Sequence, residues 1–135
     1  MKVVVIDGQG GKLGQLIVEN IVKENVDCEI IAIGTNSAAT SAMIKAGASA
    51  GATGENPVVV ACRDADIITG PIGIAFADSM MGEVTPKMAV AIGQSNAVKY
   101  LIPHSHCNNR VIGVKKMSMA DMAKEVAEKI KGEIK

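Results

Sequence analysis

The sequence predicts an α/β fold, a doubly wound parallel sheet of about five strands in a three-layer sandwich, and three observations carry that expectation. Residues 3–6, 28–33, 66–69 and 100–103 are short apolar runs without alternation, which is how strands covered on both faces read. Segments with helical spacing stand between them, as crossovers between parallel strands require. Apolar residues make up 48% of the chain but aromatic ones only 1%, Phe76 and Tyr100 alone. The core must then be Val, Ile, Ala and Met, side chains that let helices sit close on a sheet. The whole chain, residues 1–135, reads as one domain with no repeat and no linker.

The first strand runs from Val3 to Ile6 and ends at Asp7, followed by the glycine turn G-Q-G-G-K-L-G. A helix over residues 11–24 buries Leu13, Leu16, Ile17 and Ile21 on one face, with Val22 at its margin. The second strand, 28–33, stops at Gly34-Thr35-Asn36-Ser37, where Asn36 or Ser37 caps a helix over 38–46. Residues 47–54, G-A-S-A-G-A-T-G, read as a loop of small side chains. Asn56 as cap and Pro57 at the first helical position start a helix over 57–65, which leads into the third strand, 66–69. A second glycine turn, Gly70-Pro71-Ile72-Gly73, then falls on the same sheet edge as the first. Residues 74–81 suggest a short helix over that edge, and Thr85-Pro86 opens another through Gly93. After the fourth strand, Val111 to Val114 reads as a fifth. Ser118 with Asp121 three residues on makes an approximate capping box for a last helix whose buried stripe is Met119, Met122, Ala123, Val126, Ala127 and Ile130.

Fourteen basic and fourteen acidic residues cancel, so the chain has no electrostatic footprint for nucleic acid or an acidic membrane. Three widely spaced cysteines, no leader ahead of the first strand and no apolar run of spanning length read as a reduced cytoplasmic protein. The expected partners are a small-molecule ligand and further copies of the chain, with Met80, Met81 and the Met-rich last helix as contact material.

The glycine turn carries the functional expectation. Glycines let the backbone turn sharply and approach a ligand, and the N–H groups opening a helix suit a phosphate. The dinucleotide fingerprint G-x-G-x-x-G fails at Leu13, whereas G-x-x-G-x-x-G holds through Gly8, Gly11 and Gly14. The candidate binding residues are Gly8, Gln9, Gly10, Gly11, Lys12 and Leu13 around the phosphate. Thr35, Asn36 and Ser37 are set for the ribose, and Gly70, Pro71 and Ile72 for the far end of the ligand. The second strand ends without an acid or an arginine, so the markers for NAD and for a ribose 2′-phosphate are both missing there. Asp7 stands closest of all, and a carboxylate there repels a phosphate unless a metal or the ribose intervenes. Asp78 and Glu83 offer acid–base chemistry against a bland reading as solvated loop residues. His104, His106 and Cys107 have ligand chemistry but no second ligand pair, so no metal site is assigned, and no catalytic residue is assigned either.

The N-terminal loop resembles the nucleotide-binding half of dihydrodipicolinate reductase, whose loop also carries a basic residue near the position of Lys12. The stretches at 7–11, 34–37, 51–56, 70–73, 77–79 and 82–86, taken as a set, resemble a family of short Rossmann-like bacterial proteins classified as a domain of unknown function. That resemblance spans essentially the chain and implies the fold and a ligand edge, without catalytic residues to transfer. The expected function is binding of a nucleotide or phosphorylated small molecule at the carboxyl edge of the sheet, with NAD(P) or a mononucleotide as cofactor. The alternative is an NAD(P)-dependent reductase completed by homo-oligomerisation.

Overall fold

The structure, a computed structural model, describes residues 1–103 and 108–134. The strands are β1 (Lys2–Asp7), β2 (Glu29–Gly34), β3 (Ala50–Thr53), β4 (Ile67–Pro71) and β5 (Val98–Ile102). The helices are α1 (Lys12–Lys23), α2 (Ser37–Ala46), α3 (Glu55–Cys62), α4 (Pro86–Gln94) and α5 (Met119–Glu133), with a short 3-10 turn at Ile72–Ala75. All strand pairs are parallel and the order is β3-β2-β1-β4-β5, the Rossmann-like α/β arrangement.

The unbroken apolar runs follow from cover on both faces. In β1, Val3 and Val5 face α1, α2 and α5, where they meet Ile17, Ile21, Met43, Ala127 and Ile130. Val4 and Ile6 face α3 and α4 and pack with Val58, Ile68, Ile74, Met88 and Ile92. None of β1's valines is exposed, so alternation has nothing to mark. The caps were readable from side-chain chemistry. Asn36 accepts the Ala39 amide, Thr85 the Met88 amide with Pro86 following it, and Ser118 the Asp121 amide.

Three expectations are corrected. The fifth strand is β3, inside the stretch read as a loop at 47–54, and not Val111 to Val114. β3 is the sheet edge, held by backbone pairing with β2, and Gly51 fits because a Cβ there would meet Ile44 Cδ1 at 2.8 Å. An edge strand of Ala, Gly and Thr carries none of the β-branched signal that marks a buried strand. Val111 to Val114 has the apolar composition but no cover. Gly113 turns at φ +88°, and Ile112 is 94% exposed. The helix placed at 57–65 begins earlier, at Glu55 after Gly54, and ends at Cys62, so Asn56 lies inside it instead of capping it. Beyond the 3-10 turn, residues up to Met81 are not helical, because Asp78, Met80 and Met81 adopt left-handed backbone. His104, His106 and Cys107 lie outside the described residues.

The two faces set a direct comparison. Ile17→Ala should cost about 2–5 kcal/mol by opening a cavity under α1. Ile112→Ala should stay within about 0.5 kcal/mol. Urea denaturation of both variants checks the assignment, and a large loss from Ile112→Ala would restore a packed strand at Val111 to Val114.

Candidate functional site

β1 delivers its last side chain, Asp7, to the start of the glycine loop, where it is 4% exposed. One carboxylate oxygen accepts the Gly8 amide at 2.8 Å and the other the Gly14 amide at 2.7 Å. The loop closes on itself through the Gly11 amide and the Gly8 carbonyl at 2.9 Å. Gly11 must be glycine twice over, since its φ is +72° and a Cβ would stand 2.7 Å from Ala39 Cα. A Cβ on Gly14 would collide with Met43 Sδ and Asp7 Cβ, and one on Gly8 with Thr35 Oγ1 and Met80 Sδ. Gly10 is different, with nothing within 4 Å of the position a Cβ would take.

A crevice of about 190 Å³ lies against this loop. Its walls are Asp7, Gly8, Gln9, Gly10, Gly11, Lys12 and Leu13 on one side and Pro71, Gly73, Ser79 and Met80 on the other, with Met119 at the start of α5. β1 and β4 are neighbours whose chains leave towards opposite faces of the sheet, and the carboxyl ends of such a strand pair form the switch-point crevice of open α/β sheets. Three of the lining amides, those of Gly10, Lys12 and Leu13, donate to no acceptor among the described residues. They open α1, where the helix dipole favours negative charge. Lys12 is exposed and forms no ion pair among the described residues.

The other candidates separate. Pro71 lines the crevice, whereas Gly70 is packed against the Ile6 carbonyl and Ile72 sits in the 3-10 turn away from the crevice wall. Thr35 and Asn36 stand on the far side of Gln9, engaged by Glu83. One Glu83 oxygen, Oε1, accepts the Gln9 amide at 2.8 Å, the Thr35 hydroxyl at 2.7 Å and the Asn36 side-chain amide at 2.7 Å. Ser37 is exposed at the first turn of α2. Sequence reasoning did not place Gly73, Ser79, Met80 and Met119 at the site. The signal available was that Gly73 closes the second glycine turn and that Ser79 and Met80 follow shortly after it.

The two carboxylates have opposite tendencies. Burial pushes the Asp7 carboxyl up from its ordinary 3.8; the Gly14 and Gly8 amides oppose that shift, and the charge of Glu83 adds to it. Partial burial also works against ionisation of Glu83, but the bonds from Gln9, Thr35 and Asn36 together outweigh it and hold the carboxyl below its ordinary 4.5. No helix among the described residues is long and apolar enough to cross a membrane, and no group of three or more His, Cys, Asp or Glu among them is placed to hold a metal.

The model of a family described as a domain of unknown function (DUF3842) matches residues 2–135, and the chain belongs to that family. This agrees with the resemblance read from the sequence. No curated protein matches the chain. Among solved structures, the chain is similar to the dodecameric FMN-dependent Ubix-like decarboxylase from Escherichia coli O157:H7. The identity is 16% over 98% of this chain and 77% of that one, with a TM-score of 0.46.

The Glu83 bonds make a pH prediction. A carboxyl whose folded pKa is depressed stabilises the fold above its unfolded value and loses that contribution as pH falls. Wild type should therefore exceed Glu83→Gln in stability at pH 7, with the gap closing below pH 4.5. Denaturant titrations of both proteins across that range check it, and a gap independent of pH would mean that the charge of Glu83 contributes nothing.

Proposed function

We propose that this DUF3842 chain binds a phosphorylated small molecule, most simply a mononucleotide, in the crevice between the ends of β1 and β4. The phosphate takes the amides of Gly10, Lys12 and Leu13, with the Lys12 ammonium beside it. The observation that carries this reading is that three amides without an acceptor among the described residues belong to residues lining a switch-point crevice. Gly8 and Gly11 shape the turn, Gln9 forms its outer rim, and Pro71 closes the β4 side. At about 190 Å³ the crevice is smaller than the roughly 300–1,000 Å³ of a pocket enclosing a drug-sized ligand. It suits a phosphate and the group joined to it, the remainder of the ligand lying across the surface.

A second reading is an NAD(P)-dependent reductase whose site a further copy of the chain completes. It draws on Met81, which is 97% exposed next in sequence to the crevice-lining Met80 and would be available to a subunit contact.

Gly10→Asp provides the test, because the open space around Gly10 admits a side chain while its carboxylate would face the incoming phosphate. Gly11→Asp would not serve, since it clashes with α2. A thermal-shift panel of AMP, ADP, ATP, NAD, NADH, NADP, NADPH, coenzyme A and inorganic phosphate should show stabilisation by a mononucleotide. A ligand at a hundred times its Kd adds about 2.7 kcal/mol, a shift of several degrees. Gly10→Asp should lose the shift while melting near wild type without ligand. A shift confined to a dinucleotide would move the assignment to the reductase, and no shift with any phosphate compound would overturn phosphate binding.

A further inference from the structure

From the three bonds that converge on Glu83, we infer that its second carboxylate oxygen is the acceptor for the hydroxyls of a sugar attached to the bound phosphate. The chain on this view selects an unmodified ribose-type diol against a 2′-phosphorylated one. This rests on the phosphate reading above and deepens it.

Glu83 comes from the segment between β4 and α4, yet its carboxylate sits at the end of β2, where no side chain of β2 itself supplies an acid. Oε1 is saturated by three donors, while Oε2 has no partner among the described residues. The anchors are themselves fixed. Asn36 also donates to the Gln9 carbonyl at 2.9 Å and accepts the Ala39 amide at 2.9 Å, so the carboxylate is held in one orientation before any ligand arrives.

The chemistry of this surrounding selects the occupant. Two N–H groups and a hydroxyl converge on Glu83, and no ion pair reaches it among the described residues, which leaves one carboxylate oxygen able to accept from hydroxyl donors. The bonded carboxylate is held in its charged form, which strengthens bonds from hydroxyls and repels a second phosphate. Gln9, whose amide holds Glu83, is the immediate neighbour of Gly10, whose amide is open. The diol acceptor and the phosphate site thus share one turn. Thr35 and Asn36 act on the ligand through Glu83, as positioning residues.

Isothermal titration of the full chain with AMP, 2′-deoxy-AMP, adenosine 2′,5′-bisphosphate and ribose 5-phosphate tests this, with wild type, Glu83→Gln and Thr35→Val. Wild type should bind AMP at least tenfold more tightly than the bisphosphate and severalfold more tightly than the deoxynucleotide. Glu83→Gln should bring the AMP-to-bisphosphate ratio towards one. Thr35→Val, which loosens the carboxylate and leaves it charged, should lower the preference for AMP over the deoxynucleotide. Ribose 5-phosphate binding with the same dependence on Glu83 would support the diol assignment and identify a sugar phosphate as sufficient. Equal binding of AMP and the bisphosphate by wild type, or a ratio unmoved by Glu83→Gln, would overturn the role of Glu83 while phosphate binding stands. Failure of every probe would overturn both.

Discussion

The rest of this structure depends on one buried carboxylate. Asp7 accepts the amides of Gly8 and Gly14, the first and last glycines of the loop, and so ties both ends of the turn to the tip of β1. Those two bonds set where α1 starts and how closely it lies on the sheet. Space for the arrangement exists only because Gly14 lacks a side chain between Asp7 and Met43, and because Gly11 lets the loop back onto Ala39 of α2. The G-x-x-G-x-x-G spacing is accounted for by internal packing at each of its three positions. What points outward is the remainder of the loop: Gly10, with open space beside it, and the amides of Lys12 and Leu13.

The loop does two separable jobs, and its residues divide accordingly. Gly8, Gly11 and Gly14 hold a sharp turn against Asp7, Met80 and α2, a demand that would exist with no ligand at all. Gly10 answers no such demand. Gln9, at φ +49°, carries the chain over the rim and gives its amide to Glu83, joining the β1 loop to the β4–α4 segment and to the end of β2 in one hydrogen-bonded group.

How much was legible follows from where each signal lives. β1, β2 and β4 were readable because burial on both faces writes itself into consecutive residues such as Val3, Val4 and Val5. The starts of α2, α4 and α5 were readable because a cap is a contact three residues long. β3 was not, since an edge strand of Ala, Gly and Thr is specified by the partner that it pairs with and by Ile44 above it. Val111 to Val114 misled for the converse reason, an apolar run with nothing over it. At the site, the loop followed from local sequence, and so did the position of Thr35 and Asn36 after β2. Their partner did not, because Glu83 is 48 and 47 residues away and reaches Gln9 across 74. The sequence lacks an acid at the end of β2, and the fold brings one there from elsewhere.

That arrangement resolves the conflict posed by a carboxylate beside the proposed phosphate site. Asp7 lies beneath the loop and spends its charge on the amides of Gly8 and Gly14, and burial resists its ionisation. It draws on part of the positive potential at the start of α1, so a phosphate bound as proposed would depend on the three open amides and on Lys12 more than on the dipole alone. Glu83 lies on the other side of Gln9, with its charge held by three donors and one oxygen unspent. The two sides of the turn therefore ask for opposite chemistry, anion on the amides and hydroxyl donors at the carboxylate, and a phosphate joined to a sugar satisfies both within one molecule. A ligand with phosphate on both sides would place its second charge against Glu83, so the proposed discrimination would reside in that residue and not in the glycines.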